Sequence, residues 1–145
     1  MMKKILMGLA VSLIASPLYA GGHGASGDAA KGEKAFKKCV ACHVVQDDSG
    51  KVLAGRNAKN GPNLYNVVGR APGSADFKYG KSLVEYGQKD GVVWGEENFV
   101  AYVQDPTGFL KEVLDDKRAR GKMSYKVKKE EDAVNLYAYL AQFSK

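Results

Sequence analysis

The 145-residue sequence is poor in the residues that build most metal sites and disulfide frameworks, with two cysteines, two histidines and four methionines. Because both cysteines lie in one short segment without a second Cys/His cluster, a structural zinc site is excluded. The sequence has no internal repeat, no low-complexity tract and no glycine-rich phosphate loop. Its long apolar run, residues 5–18, is shorter than the roughly 20 residues that a membrane-spanning helix needs. These absences argue against zinc fingers, repeat proteins, phosphate-loop enzymes and proteins inserted in the membrane.

What the sequence does contain is Cys39-Val40-Ala41-Cys42-His43, a C-x-x-C-H pattern that is typical of covalent haem attachment. Two thiols three residues apart on a helical turn can reach the two vinyl groups along one edge of a porphyrin. The next residue can then place its imidazole under the iron. A C-x-x-C redox pair or a structural disulfide would explain the cysteines but not the adjacent His43. The pattern predicts one haem c attached through Cys39 and Cys42, with His43 as an axial ligand of the iron.

The first twenty residues have the features of a secretory signal peptide. Two lysines give a positive start, the apolar run 5–18 follows, and Ala20 provides a small residue at the exit. We expect cleavage of residues 1–20, export to the periplasm and a single domain over residues 21–145. His23, just beyond the cleavage position, is interpreted as a solvated histidine of the N-terminal tail.

Helical patterns dominate the remaining sequence, so the predicted fold class is all-α. A first helix should begin after Asp28, whose side chain can cap it, and should run into the haem motif. A short amphipathic helix is expected over about residues 82–86. Acidic residues at 96–97 and the proline at Pro106 should open two further helices.

The last helix should begin with the acidic residues at 130–132. Apolar residues with helical spacing follow them: Ala133, Leu136, Tyr137 and Leu140. Residues 46–61 are polar and rich in turn formers, which predicts a surface loop that can hold a small hairpin.

The second axial position of the iron needs another ligand, and Met123 is the only methionine left once the signal peptide is removed. A thioether is a soft, neutral ligand that favours ferrous iron and raises the potential of a His-ligated haem. Met123 lies in an irregular segment before the last helix, where a loop can deliver it to the interior. Pro62 belongs to a rigid segment with free carbonyls, and such a carbonyl can accept a hydrogen bond from a ligating histidine. We therefore predict Met123 as the second ligand and Pro62 as a support of the first.

At this point the sequence resembles class I c-type cytochromes, and most closely the large bacterial cytochrome c2 type. The resemblance is carried by an ordered series of motifs: Cys39-Val40-Ala41-Cys42-His43, Gly61-Pro62-Asn63-Leu64, Gly69-Arg70, Trp94, Tyr102, Asp105-Pro106, Met123 and Leu136 to Leu140. It implies a small class I cytochrome c fold whose helices wrap around one covalently attached haem. The sequence departs from the family's pattern at two points near Met123. No proline shortly precedes Met123, and Tyr125 fills the place of the usual phenylalanine.

The resemblance also implies roles for individual residues. Arg70, Tyr79 and Trp94 correspond to groups around the inner haem propionate, and Tyr102 corresponds to the tyrosine near the ligand sulfur. The Pro62 carbonyl is implied to accept from the ring of the proximal histidine. A further set matches the crossing of the first and last helices: Gly32, Phe36, Leu136 and Tyr139.

The function implied by the resemblance is that of a soluble one-electron carrier, not an enzyme. Its donor would be a cytochrome bc1 complex, and its acceptor a photosynthetic reaction centre or a terminal cytochrome oxidase. We expect a periplasmic monomer that binds no nucleic acid and does not insert into the membrane. The alternative is a haem enzyme or a ligand-binding sensor with an exchangeable sixth ligand, against which Met123 argues.

Lysines flank both segments that carry the predicted ligands. They form what we call the lysine rim: Lys37, Lys38, Lys122, Lys126, Lys128 and Lys129. Acidic residues gather elsewhere in the sequence, at positions 47–48, 96–97 and 115–116. This asymmetry predicts a cationic docking surface around the haem edge that steers acidic partners. The alternative is an ordinary solvated surface, since lysines are mostly exposed.

Overall fold

A computed structural model describes residues 24–145. The predicted signal peptide and His23 lie outside the described residues, so these assignments stay predictions. The elements of the described part are α1 (Ala29–Phe36), β1 (Val44–Gln46), β2 (Val52–Gly55), α2 (Lys81–Gly87), α3 (Glu96–Gln104), α4 (Pro106–Val113) and α5 (Glu130–Ala141). Within residues 24–145 no helix is long and apolar enough to cross a membrane.

The helix boundaries follow local signals in the sequence, and the predicted mostly helical fold is confirmed. Asp28 caps α1, because its side chain accepts a hydrogen bond from the backbone N–H of Lys31 at 3.1 Å. Pro106 stands at the start of α4, where its missing N–H costs no helical hydrogen bond. Acidic residues fill the first turns of α3 and α5, where they interact favourably with the helix dipole.

The polar stretch after the haem motif forms an antiparallel hairpin of β1 and β2, in which Val44 pairs with Gly55. Asp47 closes its turn, since one carboxylate oxygen accepts from the backbone N–H groups of Ser49 and Lys51 at 2.9 and 3.0 Å. Both valines of β1 are buried, whereas β2 is mainly exposed. The hairpin is therefore attached to the core mainly through β1, and the half-buried Ala54 of β2 also packs against the core.

Helices α1 and α5 cross closely enough to require a glycine. A Cβ atom at Gly32 would overlap the carbonyl oxygen of Asn135 and would lie 2.7 Å from the Cβ of Tyr139. Phe36 packs against Tyr139 with ring centroids 5.4 Å apart. Asn135 is buried, and its Oδ1 accepts from the backbone N–H of Asp28 at 2.8 Å. The predicted crossing is confirmed, and the polar contact of Asn135 adds to it.

Gly32→Ala should destabilise the folded protein by about 2 kcal/mol, because the new methyl group would overlap the backbone of α5. Helix propensity alone predicts the opposite sign, since alanine is better than glycine in a helix interior by roughly 0.5–1 kcal/mol. Guanidinium unfolding of the holoprotein measures the difference. Glu33→Ala, on the exposed side of the same helix, is the matched control and should change stability by less than about 0.5 kcal/mol. A Gly32→Ala protein as stable as the wild type would rule out the close crossing.

An aromatic cluster joins α2, α3 and α4. The ring centroids of Trp94 and Tyr102 are 5.0 Å apart, and those of Trp94 and Phe99 are 6.3 Å apart. Tyr86 meets Phe109 edge-on at 5.2 Å. Offset and edge-on ring pairs of this kind stabilise a core beyond the area that they bury. The cluster forms a rigid support for the cavity described next.

Candidate functional site

A cavity of about 230 Å³ lies between the C-x-x-C-H segment, the aromatic cluster and the loop that carries Met123. Apolar side chains form much of its wall: Leu64, Val67, Leu83, Phe99, Val103, Leu136 and Leu140. All of the predicted cofactor-binding residues also line it: Cys39, Cys42, His43, Pro62, Arg70, Tyr79, Trp94, Tyr102 and Met123. The fold therefore brings together side chains that are far apart in the sequence.

His43 is fixed in one orientation by the backbone. Its N–H donates to the carbonyl of Cys39 at 2.9 Å, which continues the turn after α1. Its Nδ1 lies 2.9 Å from the carbonyl oxygen of Pro62, so we assign the ring proton to Nδ1. Burial lowers the pKa of His43, although the bond to Pro62 opposes this effect. At neutral pH the ring is thus neutral, and its Nε2 is free to bind a metal.

Gly61 is a site residue that was not predicted from the sequence. A Cβ atom there would lie 2.5 Å from Cε1 of His43 and 2.7 Å from its Nδ1. The backbone N–H of Gly61 donates to the carbonyl of Cys42 at 2.7 Å, which holds Pro62 next to the attachment segment. The Gly-Pro dipeptide signals a turn, but it does not show that an imidazole packs against that turn.

The two cysteines are free thiols at the cavity wall. Cys39 is half-buried and Cys42 is exposed. Burial, together with the charge that Cys42 would carry, raises the pKa of the Cys39 thiol to about 11. Both cysteines line the same cavity as His43, as attachment of a porphyrin through this segment requires.

Arg70 brings a positive charge to the cavity. Two of its guanidinium nitrogens donate to the carbonyls of Tyr65 and Asn63 at 2.9 and 3.2 Å. Burial lowers the pKa of Arg70, and Tyr79 opposes that shift. Its backbone carbonyl accepts from the N–H of Trp94 at 2.9 Å, which ties these two predicted residues together. A cation held in this way can pair with a carboxylate that enters the cavity.

Tyr102 is buried beside Trp94 and Phe109, with which it shares the aromatic cluster. Burial, reinforced by Tyr79, raises the pKa of Tyr102 to about 12. Its hydroxyl therefore stays protonated at physiological pH and can donate a hydrogen bond. Tyr102 and Met123 line the same cavity. The position of the Tyr102 hydroxyl near the sulfur of Met123 stays a prediction.

The loop that carries Met123 is held by polar contacts, although no proline precedes it. The N–H of Gly121 donates to Oγ1 of Thr107 at 3.0 Å. The Nζ of Lys122 donates to the carbonyl of Lys78 at 2.7 Å and lies over the ring of Phe77. The loop is thus joined to α4 on one side and to the segment before α2 on the other.

All six residues of the lysine rim are exposed, but they differ in position. Lys38 and Lys122 line the cavity. Lys126 forms a 2.8 Å ion pair with Asp105, so its charge is partly balanced. The acidic positions noted in the sequence did not include Asp105, so this pairing was not predicted. The reason is tertiary: the N–H of Val127 donates to the carbonyl of Val103 at 2.9 Å, which brings the two segments together.

The residues of the cavity fit a covalently attached haem c. They offer two thiols, a neutral imidazole, a thioether and a guanidinium within mainly apolar walls. Among residues 24–145 no group of three or more His, Cys, Asp or Glu side chains could hold a metal ion directly. A haem would bring its own four nitrogen ligands, so that one imidazole and one thioether complete the coordination of its iron.

The fold and the donor set define a class I c-type cytochrome. Residues 29–144 match the sequence profile of the Cytochrome c family. Cytochrome c2 of Rhodovulum adriaticum is 62% identical over 117 residues, which are 80% of this chain and 92% of that protein. The X-ray structure of cytochrome c2 from Rhodobacter sphaeroides has a TM-score of 0.79 at 59% identity and is aligned over 98% of its length and 82% of this chain. Cytochrome c-550 of Paracoccus denitrificans is 44% identical over 120 residues, 81% of this chain and 76% of that protein. The chain belongs to the cytochrome c2 family and is an electron-transfer protein, not an enzyme.

Proposed function

We propose that the chain is a soluble periplasmic one-electron carrier that takes electrons from a cytochrome bc1 complex. It delivers them to a photosynthetic reaction centre or to a terminal cytochrome oxidase. The observation that carries this proposal is the convergence of His43, Met123 and both cysteines on one cavity. Relatives named cytochrome c2 and cytochrome c-550 support the same class of function.

Each residue of the cavity has a distinct part in this proposal. Cys39 and Cys42 would hold a haem through thioether bonds, and His43 and Met123 would be the protein ligands of its iron. The bound haem supplies an iron that alternates between ferrous and ferric states. The Pro62 carbonyl holds the His43 ring in place. Since neither protein ligand has to leave, the site needs no catalytic acid, base or nucleophile.

The remaining cavity residues tune the site. Arg70, Tyr79 and Trp94 would offer charge and hydrogen bonds to an inner propionate, and Tyr102 would offer its hydroxyl near the sulfur of Met123. What supports these roles is that all of these residues line the same cavity. Export through the predicted signal peptide would place this carrier in the periplasm. A monomer with a small, transient docking interface suits a carrier that must release its partner quickly.

The lysine rim is expected to steer docking to acidic partner surfaces. Lys38→Glu should slow the second-order reaction with the bc1 complex roughly tenfold at low salt, because the exposed Lys38 lines the cavity. The effect should shrink as the Debye length falls toward about 8 Å near physiological ionic strength. Stopped-flow kinetics over a salt series measure both effects.

Lys34→Glu is the matched control, since Lys34 is exposed, does not line the cavity and makes the same change of charge. Lys122→Glu should also slow the reaction, but it additionally removes the contact with Lys78 and is a less clean probe. Equal effects of Lys38→Glu and Lys34→Glu, or a rate that does not depend on salt, would contradict the docking role of the rim.

The carrier function itself is tested by turnover with purified complexes. The ferric protein should be reduced by a bc1 complex, and the ferrous protein should be oxidised by illuminated reaction centres, by an oxidase, or by both. Comparison of the two acceptors at equal concentration decides between light-driven and respiratory electron flow. A protein that exchanges electrons with neither side would refute the proposal.

A further inference from the structure

We propose that Asn60 is a site of spontaneous deamidation at the wall of the cavity, and that the hydrogen bond from Gly61 to Cys42 controls its rate. The sequence contains a single Asn-Gly step, Asn60-Gly61. An asparagine before a glycine is thermolabile, because glycine has no Cβ to keep its nitrogen away from the preceding side chain. Asn60 is exposed and has no part in the proposed electron-carrier function.

The reaction needs no enzyme, and water is its second reactant. The Gly61 nitrogen attacks Cγ of Asn60, so that a C–N bond forms while the bond from Cγ to Nδ2 breaks. The Gly61 nitrogen gives up its proton, the side-chain amide leaves as ammonia, and a cyclic imide remains. Water then adds to one of the imide carbonyls and opens the ring. The products are aspartate and isoaspartate, and each carries one new carboxylate.

The side chain of Asn60 is held less firmly than those of two other asparagines. Its Nδ2 lies 3.5 Å from the carbonyl oxygen of Ala41, beyond the usual range of a hydrogen bond. By contrast, Nδ2 of Asn63 donates to the carbonyl of Gln46 at 2.7 Å, and Oδ1 of Asn135 accepts at 2.8 Å. A leucine follows each of these two asparagines and hinders attack by its nitrogen. Asn60 therefore combines a loosely held side chain with an unhindered neighbour.

The nitrogen that must attack is restrained in the folded protein. The N–H of Gly61 donates to the carbonyl of Cys42 at 2.7 Å, which engages its proton and fixes its direction. The His43 ring packs against the same residue, since a Cβ at Gly61 would lie 2.5 Å from Cε1. Ring closure thus requires a local opening of this contact. The rate of deamidation therefore reports how often Gly61 separates from the attachment segment.

Deamidation would change the charge of the cavity wall. Asn60 and Lys38 both line the cavity, and the modified chain gains one negative charge there. The new carboxylate should weaken the attraction of acidic partner surfaces, a consequence that rests on the proposed docking function. In isoaspartate the main chain also runs through the former side-chain carbon, which lengthens the connection to Gly61.

The test follows the untagged ferric holoprotein during prolonged storage at neutral pH and physiological temperature. Cation-exchange chromatography separates the acidic form, and peptide fragmentation locates the modified residue. An unaged sample, digested in parallel, measures deamidation during digestion. We expect the new carboxylate at position 60, formed on the order of tenfold or more faster in guanidinium than in the folded protein.

Asn60→Gln should form no carboxylate at position 60, because its longer side chain must close a larger ring. Asn57→Gln is the matched control, since Asn57 is exposed but precedes an alanine, and this variant should deamidate at position 60 like the wild type. Three results would overturn the proposal: no carboxylate at position 60 in the aged holoprotein, equal rates in the folded and unfolded chains, or an unchanged yield of the acidic form in Asn60→Gln.

The effect on docking is measured with Asn60→Asp, which introduces the charge without lengthening the main chain. At low salt, its reduction by a bc1 complex should be several-fold slower than that of Asn57→Asp, which adds the same charge outside the described cavity wall. Equal rates of the two variants would contradict the effect on docking. Reduction of the unaged wild type measures the carrier function by itself, so that failure of that function and failure at Asn60 are told apart.

Discussion

Replacing both Cys39 and Cys42 by alanine should release the haem from the polypeptide. Acid acetone should then extract haem from the variant, whereas denatured wild-type chain should keep its haem on a gel. The variant should also fold poorly, because the mainly apolar walls of the cavity would lose the haem ring that covers them. Haem-stained gels and circular dichroism measure the two effects.

The control for this experiment is Met123→Ala, which alters another residue of the same cavity but leaves both thiols in place. It should keep covalent haem in full. Haem that separates from the denatured wild-type chain would show that the two cysteines do not attach it.

Met123→His should keep a six-coordinate iron but lower the reduction potential, because imidazole supports ferric iron better than a thioether does. We expect a fall on the order of 0.2 V, within the roughly 0.8 V range that axial ligands span. Met123→Ala should instead open the iron to small ligands such as cyanide or imidazole. Redox titration and absorption spectra of the oxidised protein measure these changes.

Lys128→Gln is a suitable control, since Lys128 is exposed and does not line the cavity. It removes a charge from the same part of the chain and should shift the potential only slightly. A potential and a spectrum that stay the same in both Met123 variants would assign the sixth position to another residue.

The sequence was sufficient to predict those elements whose formation depends only on neighbouring residues. The Asp28 cap, the proline that opens α4 and the spacing of apolar residues along α5 each act within one or two helical turns. The C-x-x-C-H pattern is equally local, because attachment and ligation concern five consecutive residues. These features predicted the helices and the attachment segment.

Contacts between segments that are distant in the sequence could not be predicted in the same way. The Cβ that Gly61 lacks would collide with the His43 ring, and the ion pair of Lys126 with Asp105 depends on how two loops meet. Neither has a pattern in the sequence, because each arises from the path of the backbone between the partners. The hydrogen bond from Lys122 to the carbonyl of Lys78 is a further contact between distant segments that the sequence did not predict.

The crossing of α1 and α5 has a consequence for the order in which the chain matures. The hydrogen bond between Asp28 and Asn135 joins residues 107 positions apart, so α1 emerges from the ribosome long before its packing partner exists. A helix of eight residues is marginal without tertiary packing. Until α5 is available, α1 and the segment with Cys39 and Cys42 that follows it therefore lack the packing that the crossing provides in the folded protein. Packing of α5 then fixes α1, whose last residue, Phe36, accepts a hydrogen bond from the N–H of Cys39, so the attachment segment reaches its final position only when the two ends of the chain meet.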